Sequence, residues 1–139
     1  MNKIIFLVAL AVILAAVFGF VYNKKKQLPV ETKVMILKKD DNGREIKLRK
    51  GDTIQIELEE LGSAGYTWQI DNLDETHLKL LSEETKPTRS ELIGAPVIGV
   101  WKMETIQKGS SEIKMDYFRP WEGKDSAIDH FLVNIRIKT

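Results

Sequence analysis

Thr53-Ile54-Gln55-Ile56-Glu57-Leu58-Glu59 is the stretch on which the fold turns. Three aliphatic side chains alternate with polar ones at a period of two, which reads as a β-strand with one face buried and the other in water. A helix would turn Ile56 to the side opposite Ile54 and Leu58, so the three could not share one buried face.

Working outward, the same alternation recurs. Tyr66-Thr67-Trp68-Gln69-Ile70 puts two aromatics and an isoleucine on one face. Near the C-terminus, the strand Ala127 to Lys138 buries Phe131, Val133, Ile135 and Ile137 and turns Leu132, Asn134, Arg136 and Lys138 outward. Upstream, Val34 and Ile36, then Ile46 and Leu48, alternate with basic residues around Asp40-Asp41-Asn42-Gly43, which reads as a hairpin because Asn-Gly accepts positive φ at low cost. Further strands are expected from Leu78 to Glu83, from Val100 to Ile106 and from Glu112 to Phe118, the last two pairing across Lys108-Gly109-Ser110-Ser111. Lys86 to Ile98 reads as irregular, with Pro87, Gly94 and Pro96. Seven or eight short strands with turn signals about every ten residues predict an all-β, immunoglobulin-like sandwich over residues 29–139.

Residues 1–28 are different in kind. Ile4 to Tyr22 carries no charge, with Lys3 before it and Lys24-Lys25-Lys26 after it. Nineteen such residues make a helix of about 28 Å, close to the ~30 Å hydrocarbon core of a bilayer. An uncleaved N-terminal transmembrane helix through residues 4–22 is the favoured reading. A cleaved signal is the alternative, with only Val17-Phe18-Gly19 as a passable site; a buried helix is the remaining one. The lysine distribution leans toward a cytoplasmic domain. Placement on the extracytoplasmic side rests instead on the segment's likeness to export signals and on the function inferred below.

Composition excludes several classes. There is no cysteine among the 139 residues, which removes thiolate zinc sites, redox motifs, thiol nucleophiles and lipoprotein anchoring. Residues 29–139 carry 17 basic and 20 acidic residues, a net charge of −3, without the basic stripe that nucleic acid requires. His77 and His130 are isolated, so no metal site is expected. Glu59-Glu60 and Glu83-Glu84 point to opposite faces of their strands and read as solvated rim charges. Ser110-Ser111 lacks a base, and Gly62-Ser63-Ala64-Gly65 lacks the strand-to-helix setting of a nucleophile elbow. No catalytic constellation, cofactor or small-molecule substrate is implied, and the domain is expected to be a monomer and no enzyme.

Three loops remain that are richer than turns require: Leu61-Gly62-Ser63-Ala64-Gly65-Tyr66, Gly94-Ala95-Pro96-Val97 and Arg119-Pro120-Trp121-Glu122. In their order and spacing they resemble the chagasin family of cysteine peptidase inhibitors, from about Lys47 to the C-terminus. That family carries an Asn-Pro-Thr-Thr-Gly-aromatic loop, a Gly-x-Gly-Gly loop and an Arg-Pro-Trp or Arg-Pro-Phe loop. Arg119-Pro120-Trp121 matches intact. Leu61-Gly62 stands in place of Asn-Pro, Ser63-Ala64 in place of Thr-Thr, and Pro96-Val97 in place of the paired glycines.

The resemblance implies a reversible inhibitor whose loops occlude the cleft of a papain-like cysteine peptidase. Gly62, Ser63, Ala64, Gly65 and Tyr66 would form the first contact, Gly94, Ala95, Pro96 and Val97 the second, and Arg119, Pro120 and Trp121 the third. Ser63 would lie nearest the catalytic pair. Core packing is the plainer reading for Tyr66, Trp68 and Trp101, and bracing of neighbouring loops an equal one for Arg119. The rival function is a membrane-tethered adhesion or envelope module that has lost inhibition.

The anchor reading predicts that the full chain stays in the membrane fraction with its N-terminus intact. Mass spectrometry showing a mature protein that begins at Phe20 or beyond would contradict it.

Overall fold

A computed structural model describes residues 2–22, 31–90 and 92–139. The chain divides into two compact units, Met1–Glu31 and Thr32–Thr139. The first contains helix α1, Asn2–Tyr22, apolar around its circumference. Among the described residues no helix is long and apolar enough to cross a membrane. The membrane span expected over residues 4–22 is therefore not found among them, and its lysine flank, 24–26, lies outside the described residues.

The second unit is a sandwich of two four-stranded sheets. Its strands are β1 (Val34–Lys38), β2 (Glu45–Arg49), β3 (Thr53–Glu60), β4 (Thr67–Ile70), β5 (Leu78–Pro87), β6 (Val97–Thr105), β7 (Gly109–Phe118) and β8 (Asp129–Lys138). One sheet has the order β1-β3-β6-β5 and the other β2-β8-β7-β4. β1 runs parallel to β3 and β2 parallel to β8, and all other pairs are antiparallel. Ile54, Ile56 and Leu58 of β3 and Phe131, Val133, Ile135 and Ile137 of β8 meet between the sheets in a single core with Trp68 and Trp101. Those strands bury the faces their alternation indicated.

Two expected hairpins do not form. β1 and β2 belong to opposite sheets, so Asp40 to Gly43 turns the chain across the sandwich rather than closing a hairpin. The reason lies in how its polar groups are used: Leu132 N donates to Asn42 Oδ1 at 2.7 Å and Gly43 N donates to Leu132 O at 2.6 Å. The Asn-Gly pair is thereby tied to β8. β6 and β7 likewise do not pair, because β6 lies between β3 and β5 while β7 lies between β8 and β4.

The inward residues of β1 are also shifted. Leu37 is buried and Met35 packs against the core, whereas Val34 and Ile36 are 55% and 52% exposed. Val34-Met35-Ile36-Leu37 is apolar on both faces, so periodicity alone could not choose between them. β5 continues to Pro87, past the expected end at Glu83, with a register break at Leu81. As an edge strand exposed along nearly all its length it carries little apolar signal, and Pro87 is tolerated there.

The register of β1 is open to measurement by urea unfolding of residues 32–139. Leu37→Ala should cost about 2–5 kcal/mol as a core truncation, and Ile36→Ala no more than about 0.5 kcal/mol as a surface change. The reverse ranking would restore the sequence-based register.

Candidate functional site

Strand pairing brings the three loops to one pole. The end of β3 faces the start of β6 through Glu60 and Val97, and the end of β7 faces the start of β4 through Phe118 and Thr67. The chain enters the sandwich at the opposite pole, where Val34 pairs with Thr53.

The first loop rests on a buried polar base. Glu60 is 6% exposed, and its Oε1 accepts hydrogen bonds from Trp68 N at 2.8 Å and Thr67 Oγ1 at 2.9 Å. This corrects the reading of Glu60 as a solvated rim charge. Glu59 beside it does face solvent, as alternation requires. A buried carboxylate is tolerable only when its lone pairs are satisfied in this way. Trp68 Nε1 donates to Glu59 O at 3.0 Å, and the Trp68 ring stacks on Tyr117 at 4.8 Å between centroids. The Leu61 amide donates to the Tyr117 hydroxyl at 2.7 Å. Burial raises the Tyr117 pKa above its ordinary value, so the phenol stays neutral in its structural role.

Above that base, Gly62–Ala64 forms one 3-10 turn closed by Gly65 N donating to Gly62 O at 2.9 Å. Gly65 has φ 81° and ψ 4°, left-handed geometry that glycine adopts without penalty. It also admits a close approach: a Cβ there would overlap the Trp121 ring at Cη2. Both reasons for glycine hold at once.

The third loop is bound to the first. Arg119 Nε donates to Ala64 O at 2.9 Å, and its guanidinium lies 4.5 Å from the Tyr66 ring centroid, a cation–π contact. Its Nη1 pairs with Glu122 Oε1 at 3.3 Å. Arg119 is therefore a brace. Pro120 opens the 3-10 turn Pro120–Glu122, where its fixed φ suits the position. Trp121 lies against Gly65 yet remains 71% exposed.

The second loop is joined more lightly, by a long 3.5 Å contact from Ser63 Oγ to Gly94 O. Gly94 has φ 80°, and Thr88 Oγ1 donates to Pro96 O at 2.8 Å to close the loop base. Gly94, Ala95 and Pro96 lie in the loop, but Val97 is the first residue of β6, paired with both Glu60 and Pro87. Leu92 and Ile93, which the sequence reading passed over, are almost fully exposed at the loop tip. Their signal was available: two adjacent aliphatics in a segment without strand periodicity. Glu91 lies outside the described residues.

Tyr66 packs partly on the core, and Trp68 and Trp101 are buried in it, as the plainer reading held. His77 and His130 each contact one carboxylate, of Asp74 and Asp116, at 2.7 Å. Among the described residues no three acidic or histidine side chains gather as a metal site.

This arrangement defines a class: a β-sandwich that presents a composite surface of three loops at one end. Residues 47–135 match the profile of the Chagasin family peptidase inhibitor I42, and the chain belongs to that family of inhibitors rather than to any class of enzyme. Amoebiasin-2 of Entamoeba histolytica is 31% identical over 96 residues, which cover 66% of this chain and 76% of the relative. The fold is shared with the crystal structure of the cysteine protease inhibitor EhICP2 from Entamoeba histolytica, at TM-score 0.71 and 24% identity over 78% of this chain and 98% of the other. It is shared also with PbICP-C, solved in complex with falcipain-2, at TM-score 0.55 and 14% identity over 77% and 91% of the two chains.

The contact between Gly65 and Trp121 has a signature in stability. Gly65→Ala should destabilise the parent by more than the about 1–2 kcal/mol expected of alanine in left-handed geometry. In a Trp121→Ala background only that backbone cost should remain. Equal penalties in both backgrounds, measured by urea unfolding, would contradict the packing of the ring on Gly65.

Proposed function

We propose that the Thr32–Thr139 unit reversibly inhibits papain-like cysteine peptidases by filling the active-site cleft with the three loops, acting as a monomer. In this reading residues 4–22 tether it to a membrane with the domain on the extracytoplasmic side. The observation that carries the inhibitory reading is the joint between the first and third loops. Arg119 and Trp121 hold Ala64 and Gly65 in place while the outer face of Trp121 stays open to a partner. Family membership supports it, as does the peptidase bound to PbICP-C.

The mechanism follows from that joint. Gly62, Ser63 and Ala64 form a narrow wedge without a β-branched side chain, exposed at the pole. Entering the cleft, it places Ser63 against the catalytic cysteine and histidine. A 3-10 turn closed by its own hydrogen bonds does not offer an extended scissile peptide, so the wedge occupies the site without being cut. Trp121 covers an aromatic wall on one side, and Gly94, Ala95 and Pro96 flank the other. Because the loops are held before binding, little conformational entropy is lost on docking. Ser63 carries a hydroxyl where the family pattern has threonine, and Gly65, common to both, takes the left-handed turn.

The test is inhibition of papain by residues 32–139. Trp121→Ala should weaken inhibition by about 30- to 1000-fold, equivalent to ~2–4 kcal/mol for a buried interface aromatic. Most of the loss should be faster dissociation, with the melting temperature nearly unchanged. Parent-like inhibition by a folded Trp121→Ala variant would overturn the assigned role of the third loop.

A further inference from the structure

The third loop does not end at Glu122. Its return runs through a second 3-10 turn, Lys124–Ser126, to Ile128, whose amide donates to Tyr117 O at 2.9 Å. In β7, Met115 and Tyr117 face the core between the sheets, so Asp116 points to the other face of its sheet. It is nonetheless only 2% exposed.

A carboxylate in that position needs compensation. Asp116 Oδ1 contacts His130 Nδ1 at 2.7 Å, while Oδ2 finds no hydrogen-bond donor among the described residues. The cation facing Oδ2 is Lys124, with Nζ at 3.7 Å. The same ammonium group lies 2.5 Å from Asp71 Oδ1, and Lys114 Nζ lies 3.4 Å from Asp71 Oδ2. Asp71 directly follows β4, so Lys124 joins the loop's return to both β7 and the end of β4. The ammonium is held in its charged form by Asp71, which raises its pKa above the ordinary lysine value.

We infer that Lys124 is a positioning residue for the third loop, fixing the far side of the turn that Arg119 fixes on the near side. It contacts no peptidase in this scheme. An exposed lysine–aspartate pair alone would contribute little. The buried Asp116 changes the balance, because withdrawing the lysine leaves a desolvated charge without its counterion. The loop's return is thus held down by a buried negative charge in the sheet beneath it. Gly123, at φ 81° and ψ 162°, is the junction between the two 3-10 turns, so without this anchor the far side of the segment bearing Trp121 is tied to β7 only further along, through the Ile128 amide.

This rests on the inhibitory reading for its consequence, but not for its geometry, and the experiment separates the two. Lys124→Met and the double variant Asp116→Asn/Lys124→Met are prepared in the full chain in detergent, with Trp121→Ala beside them. The single variant is expected to lower the melting temperature, and the double variant to recover it, since the stranded charge is gone. In the double variant, amide exchange over residues 119–126 should quicken about tenfold or more relative to the parent, with β3 and β8 unchanged. Its inhibition of papain should weaken about tenfold through loss of preorganisation. Exchange at the parent rate in the double variant overturns the positioning role, whatever the inhibition. Faster exchange with parental inhibition overturns the link to binding. If the parent itself leaves papain active, the inhibitory reading fails, while the exchange rates still decide what Lys124 does.

Discussion

The first loop stands on a buried carboxylate. Glu60 closes β3 by accepting the Trp68 amide and the Thr67 hydroxyl, both at the start of β4 in the opposite sheet. The loop between them is therefore pinned at both ends across the sandwich. Tyr117 completes the base from β7, and Arg119, two residues on, reaches back to Ala64. Truncating the Glu60 side chain would strand the Trp68 amide and loosen the floor under every contact above it. The other end of β3 is closed similarly: Asp52, also buried, accepts the amides of Lys33 and Arg49 at 3.1 and 2.8 Å. One central strand is thus held between two carboxylates that replace missing ladder partners.

In the proposed inhibitory reading, rigidity of this kind links fold to function. A loop that blocks a protease must not adopt the extended shape of a substrate, and it must not lose much entropy on binding. The 3-10 turn at Gly62–Ala64 meets the first demand, and the Arg119 and Trp121 contacts meet the second. Ser63 and Ala64 add little bulk, so the turn's shape is set by backbone bonds and by the two residues packed against its flank.

Much of this was legible in the sequence, in proportion to how local the cause was. β3, β4 and β8 each carry alternation strong enough to fix both type and face. Arg119-Pro120-Trp121 and Gly65 were legible because their conformations are decided within a few residues. Sheet membership was not, since β1 and β2 are joined by a hairpin-like sequence whose Asn42 and Gly43 bond to Leu132, about ninety positions away. The buried state of Glu60 was invisible for the same reason: its partners lie across a loop in another sheet. Val97 moved from loop to strand because β5 extends to Pro87 and pairs with it.

The central claim is that a preformed wedge covers the catalytic centre of a papain-like peptidase without being consumed. Alkylation of the peptidase's catalytic cysteine by iodoacetamide reads this directly, with residues 32–139 added at one equivalent. The account predicts that alkylation is suppressed in proportion to the inhibitor bound, and that intact inhibitor is recovered by mass spectrometry. Alkylation at the rate of the free enzyme, or an inhibitor cleaved within residues 61–66, would contradict it.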